Sequence, residues 1–334
     1  MKFEISRAII FAACVLGLLA IAFIANALMQ KGPAAASATI HVAYLPVTQS
    51  LPLFVAIENG MFEREGLNVE AVRIESPNQI IDALLAGQAE AGAPSTASGI
   101  TAIADLKKPG FLKIYAFNCG TPEILNDELL VAKNSGIQSI NDLEGKRLGI
   151  IPGIQFSTVA KKILMETGVD PSSVALIELP VPNQLPALSS GSVDALLTLE
   201  PTGTIGGQKN ISRILVGGPM VKYVSNPWCG GAGIVTGKFL QENPDAARKF
   251  LKVMRQAIAD TNNNPENMQY LVKYLNLPES VVKNAPLPLL VTADNLDPGI
   301  EASYQKFVDV FFELGVVNQR PEVKHLLIND TFWE

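Results

Sequence analysis

At 334 residues the chain exceeds one ordinary hydrophobic core and suits two lobes, since domains run to roughly 100 to 200 residues. Hydrophobic residues make up 48% and charged residues 17%, a balance that excludes a disordered or fibrous chain. The net charge is −6 with lysines and arginines interspersed among the acids, so the electrostatic footprint of a nucleic-acid-binding protein is absent.

The N-terminus has the pattern of an export signal: Lys2 and Arg7 precede an apolar run over residues 8–25, followed by Ala25-Asn26-Ala27. The run is also nearly long enough to span a bilayer, so a cleaved signal and a retained anchor both stay open. Cys14 belongs to the apolar segment, and Gly32-Pro33 with the alanines after it reads as a linker holding a second small-residue site at Ala36-Ser37-Ala38. The mature chain is expected to begin between Leu28 and Thr39. Removing residues 1–38 takes away three basic residues and one acidic residue, leaving the body at −8.

From Thr39 onward strand-like runs alternate with helical spacing. Strands are predicted over 40–45, 68–74, a short stretch before Pro94, and 112–117; helices over 53–65 and over 78–86, the latter closed by Gly87. This alternation predicts an α/β fold with largely parallel sheets covered on both faces. A second strand-loop-helix start follows at Leu148 to Pro152, and the string Ala83-Leu84…Gly87…Glu90-Ala91 is echoed by Ala187-Leu188…Gly191…Asp194-Ala195. The repeated order predicts two related lobes: lobe 1 over 39–132, with 128–132 as a crossing strand, and lobe 2 over 133–229. The glycine-rich run 230–235 would return to lobe 1, which continues through 230–334. The C-terminal part is predicted to be helical, with an apolar stripe through Phe250, Leu251, Met254 and Ile258.

In open α/β sheets ligands sit beyond the carboxyl ends of the strands, where loops lead into helix N-termini. Four loops qualify, two from each lobe: Thr48, Gln49 and Ser50; Ser95 and Thr96; Gln155, Phe156, Ser157 and Thr158; and Glu200 with Thr202. Their hydroxyls and amides suit ligand binding, or merely cap the helices that follow. Tyr44, Asn118, Thr121 and Trp228 are candidates for the remaining walls, Trp228 either facing the ligand or filling a gap at the hinge. Glu200 would pair with a cationic ligand group or a nearby helix N-terminus. None of these loops contains Lys or Arg, so neutral donors must hold the ligand; an oxyanion or sulfonate held by hydroxyls and helix N-termini stays open, and a small organic molecule with an apolar body and one polar or anionic end fits better. The two histidines, His41 and His325, fall in no metal-ligand pattern, and no phosphate loop, dinucleotide fingerprint or nucleophile elbow occurs. No metal, no cofactor and no catalysis are expected. Cys119 and Cys229 are the cysteines left after export; a disulfide between them and two free core thiols are both compatible with the sequence.

Ala56, Glu58, Gly60, Phe62, Gly66, Leu67, Val69 and Glu70 resemble the A-x-E-x-G-x-F-x-x-x-G-L-x-V-E signature of nitrate-, sulfonate- and bicarbonate-type solute-binding proteins. Ala86, Gly87, Glu90 and Gly92 resemble the family's A-G-x-x-D-x-G stretch, with Glu90 in place of the usual Asp. Asp142, Leu143, Gly145, Lys146 and Gly149, and then Asp194-Ala195 with Glu200-Pro201, resemble two further family segments. The resemblance implies a two-lobed type II periplasmic-binding-protein fold, each lobe a mixed sheet flanked by helices, joined by two hinge crossings. It further implies a monomeric ligand-capture protein outside the cytoplasmic membrane, partnered by an ABC permease and its ATPase. Membrane contact would come only through an uncleaved N-terminal segment. The other functions within reach are a membrane-tethered ligand sensor and an enzyme similar to the thiamine-pyrimidine synthases, whose cysteine-rich motif is missing here.

Overall fold

The computed structural model describes residues 39–333; the signal, anchor and linker readings for residues 1–38 lie outside the described residues. The first lobe opens with β1 (Ile40–Tyr44), buried at four of its five positions, as a strand covered on both faces must be. The helix expected over 53–65 is two helices, α1 (Leu51–Glu58) and α2 (Met61–Arg64), because Gly60 takes a left-handed conformation at φ 60° and interrupts the helical path. β2 (Val69–Arg73), α3 (Pro77–Leu85), β3 (Ala91–Ala97), α4 (Ser98–Lys107) and β4 (Leu112–Gly120) follow.

The second lobe comprises β5 (Asp127–Ala132), β6 (Arg147–Ile150), α5 (Ile154–Glu166), β7 (Ala175–Glu178) and α6 (Val181–Ser189), then β8 (Ala195–Leu199), α7 (Thr202–Gln208), β9 (Ser212–Gly217) and α8 (Pro219–Tyr223). The chain returns through β10 (Trp228–Thr236) to α9 (Gly237–Glu242), α10 (Pro244–Asn263), α11 (Tyr270–Leu275), α12 (Glu279–Val282), β11 (Leu289–Thr292) and α13 (Pro298–Glu313). On α10 the predicted stripe of Phe250, Leu251, Met254 and Ile258 is buried, each such side chain contributing about 1.5–3 kcal/mol of transfer free energy.

The two sheets share one plan. In the first the order is β11-β4-β10-β3-β1-β2, and in the second β7-β6-β8-β5-β9. In each, a strand delivered by a crossing runs antiparallel between its neighbours: β10 between β3 and β4, and β5 between β8 and β9. The internal echo maps onto this plan. Gly87 and Gly191, both at φ 71°, follow α3 and α6, and the strands after them, β3 and β8, lie next to β1 and β6. Nothing crowds a side chain at either glycine, so backbone conformation alone favours glycine there.

The hinge lies slightly earlier than expected. β5 is a full strand of the second sheet, so the first crossing occupies residues 121–126 rather than 128–132. The second passes from α8 into β10, whose first residue is already Trp228. Pro94 lies inside β3, which was expected to end before it. The ladder from β1 stops at Gly92 and β10 shifts register at Ala232/Ile234, so no strand bond is lost to the missing N–H.

Candidate ligand-binding cleft

The ends of β1, β3, β4, β8 and β10 and the first turn of α5 enclose a narrow cleft between the lobes, with a cavity volume of about 20 Å³. Its apolar walls include Leu45, Val47 and Pro77 from lobe 1 and Phe156 and Leu199 from lobe 2. Polar groups come from Gln49, Ser95, Asn118, Asn126 and Gln155, and the Trp228 ring completes the wall. No lining residue is charged.

Strand parity decides which predicted residues reach this space. Leu45 lines it, so its neighbour Tyr44 points the other way and packs edge-on against Phe54 at 5.0 Å between ring centres, in the lobe 1 core. Burial there raises the Tyr44 hydroxyl above its ordinary range, opposed by the nearby Arg73. Ser95 and Ala97 line the cleft, and Thr96 between them turns its hydroxyl back onto Ala93 O at 2.9 Å. Ser50 supports rather than lines: its hydroxyl lies 2.7 Å from Leu45 O and 2.8 Å from the Ser95 hydroxyl, which also accepts Leu45 N at 3.1 Å. Thr48 contacts Gln49 at 3.3 Å through its hydroxyl and Glu200 O at 3.4 Å through its N–H.

Thr121 closes the hinge turn instead of the cleft, its hydroxyl donating to Glu123 at 2.9 Å and accepting Ile124 N at 3.1 Å. Ser157 and Thr158 turn their hydroxyls onto Ile154 O within α5, at 3.1 and 2.7 Å. The Glu200 carboxylate accepts Thr204 N at 3.2 Å and the Thr204 hydroxyl at 3.0 Å, satisfying the start of α7. Of its two expected roles, the helix N-terminus is the one it takes.

Gln155 reaches across the cleft. Its Oε1 accepts Gly99 N at the start of α4 and its Nε2 donates to Gly230 O, both at 2.8 Å, so this lobe 2 carboxamide is consumed in holding lobe 1. Gln208 to Ser280 O at 2.9 Å and Lys162 to Glu313 at 3.7 Å add interlobe contacts at the periphery. The lobes are shut on one another.

Trp228 is seated by its own strand. A side chain at Gly230 would collide with the Trp228 ring, so only glycine permits this close approach. The Trp228 Nε1 is buried and has no hydrogen-bond partner, a rare condition for an indole donor. One residue beyond each of Asn118 and Trp228, Cys119 and Cys229 are joined by a disulfide, which pins β4 to β10 beside the cleft.

Asn126 was missed by sequence reasoning. It lies in the first crossing, donates to Asn118 Oδ1 at 3.1 Å, and keeps its own Oδ1 buried and unpartnered. Behind it stand buried carboxyls. Burial pushes Asp127 up to about 7, against the opposing pull of the Met220 N–H at 2.9 Å. Glu128 is held well above the carboxylate range, first by burial and then by the adjacent Glu200.

These two mixed sheets, two crossings and a cleft at strand ends define a periplasmic-binding-protein fold. The chain belongs to the NMT1/THI5-like family, which it matches over residues 47–268. Among curated proteins it is 27% identical over 297 residues to a putative aliphatic sulfonates-binding protein of Bacillus subtilis, covering 85% of this chain and 84% of that one. It is also 23% identical to 4-amino-5-hydroxymethyl-2-methylpyrimidine phosphate synthase of Schizosaccharomyces pombe, over 64% of this chain and 62% of the enzyme. Solved structures of the same fold include the alkanesulfonate-binding protein SsuA of Xanthomonas axonopodis bound to MOPS, with TM-score 0.72, 18% identity, and coverage of 88% and 99%. The nitrate-binding protein NrtA of Synechocystis PCC 6803 gives TM-score 0.70, 13% identity, and coverage of 89% and 87%.

Proposed function

We propose that the chain is the extracytoplasmic solute-binding component of an ABC importer, closing its lobes around a small organic molecule and delivering it to a permease driven by an ATPase. The carrying observation is the enclosed, uncharged cleft lined from both lobes and shut by Gln155, which suits capture and release. An apolar body packed on Phe156 and Trp228, with one polar end near Ser95 and Asn118, matches the walls. Binding rather than turnover is supported by the family relatives named for sulfonate binding and by the two cleft-side cysteines, which are consumed in a disulfide. The enzymatic relative matches a shorter stretch at lower identity.

A thermal-shift screen of inorganic oxyanions, alkanesulfonates, aromatic carboxylates and neutral heterocycles on protein purified from the cell envelope tests this. A true ligand at about a hundredfold above its Kd adds roughly 2.7 kcal/mol to the closed form and raises Tm by a few degrees. Trp228→Ala and Ser95→Ala should each weaken the response with the fold intact. Chemical conversion of a hit would overturn the transport reading, and unchanged affinity in both variants would remove the cleft as its site.

A further inference from the structure

Anion-binding proteins without a counter-charge rely on free N–H groups at helix N-termini. Around this cleft one such group at each of three helix starts is already taken. At α4 the Gly99 N–H is accepted by Gln155, and at α7 the Thr204 N–H is accepted by the Glu200 carboxylate. At α5, whose first turn carries Gln155 and Phe156, the Gly153 N–H is accepted by the Glu178 carboxylate at 3.1 Å. Two of the three acceptors are themselves acids. With no basic residue in the lining, an incoming anion would lose its water and meet no counter-charge.

What the cleft offers instead is a matched set of neutral groups. The Asn118 and Asn126 carboxamides bond to each other through one Nδ2 and one Oδ1. The pair therefore leaves the remaining amide N–H groups and the second carbonyl oxygen without a protein partner, whichever way round the two amides are set. Asn126 is 2% exposed and its Oδ1 is unpartnered; Trp228 is 3% exposed and its Nε1 is likewise unpartnered. Buried groups of this kind are destabilising until a ligand completes them. Phe156, Pro77 and Leu199 supply the apolar remainder.

We infer that the cleft takes an uncharged compound carrying a carboxamide- or lactam-type edge, an N–H beside a C=O, on a compact apolar body, and that it discriminates against isosteric anions. The edge engages the Asn118–Asn126 pair, and an acceptor on the ligand completes the Trp228 indole. This rests on reading the cleft as the solute site.

The test is a matched series, benzamide, δ-valerolactam, benzoate and benzenesulfonate, titrated by calorimetry and thermal shift into the full chain purified from the envelope and into Asn126→Ala and Trp228→Ala. Both amides should bind at least roughly tenfold more tightly than the two anions, and Asn126→Ala should cost the amides roughly tenfold or more, from the lost buried hydrogen bonds. Equal or tighter binding of benzoate or benzenesulfonate would overturn the inference. If that binding disappears in Trp228→Ala, the cleft still stands as the solute site and only the ligand class fails. If it survives in both variants, the site reading fails with it. Silence from both amides also overturns the inference, and the wider screen described above then decides separately whether the cleft binds a solute at all.

Discussion

Gln155 accepts the backbone N–H of Gly99 at 2.8 Å, and because the two residues belong to different lobes the bond exists only while the cleft is shut. The other end of the same side chain donates to Gly230 O. Gln155→Leu keeps the approximate volume and removes both bonds. At about 1 kcal/mol net per bond, with a further cost for each group left unpaired, the closed state should lose roughly ten- to a hundredfold in population. Small-angle scattering of wild type and variant in one buffer should show a larger radius of gyration for the variant. Equal radii would mean that peripheral contacts such as Gln208 to Ser280 hold the lobes without it.

Much of this arrangement could be read from sequence because a strand followed by a polar loop and a helix has only one place in an α/β fold to present its loop. That logic pointed to Gln49, Ser95, Gln155 and Phe156, which line the cleft, as does Trp228, chosen separately as an aromatic before the return crossing. It could not fix parity. Tyr44 and Thr96 sit one residue away from lining positions and therefore face the opposite side of their strands, which a run without clear alternation does not reveal. Asn126 and Pro77 were invisible for a different reason. Their exposure to the cleft is created by closure of one lobe on the other, and nothing local in the sequence encodes that distance. The same limit left Cys119 and Cys229 undecided until their strands were seen to pair.

Cys119 and Cys229 are 110 residues apart in sequence and bridge β4 to β10 within lobe 1, with the whole second lobe between them. Closing so long a loop restrains the unfolded chain, and removing a native disulfide of this kind costs about 2–5 kcal/mol. Peptide mapping after alkylation under denaturing, non-reducing conditions should recover the two as a cross-linked pair. The Cys119→Ala/Cys229→Ala double variant should melt well below the wild type. Because Asn118 and Trp228 adjoin the bridge, its intrinsic tryptophan emission should shift as well. Recovery of two free, alkylated thiols from the wild type would contradict the bridge outright.

Asp127 gives stability a pH dependence whose sign follows from its surroundings. Its carboxyl is fully buried, raised from 3.8 to about 7 by burial, and retains only the Met220 N–H as a partner for one oxygen, the other having none. The folded protein therefore holds a proton that the unfolded chain releases near pH 4. The stabilisation linked to that proton is complete below the unfolded value, declines as pH rises from about 4, and is gone above about 7. Glu128, raised first by burial and then by Glu200, adds a loss in the same direction. Asp127→Asn keeps an acceptor for Met220 and cannot ionise. Urea unfolding at intervals from pH 4.5 to pH 8 should show wild-type stability falling by on the order of 2–4 kcal/mol more than that of the variant over this window. Curves that run parallel across the whole range would mean that Asp127 does not hold its proton in the folded state.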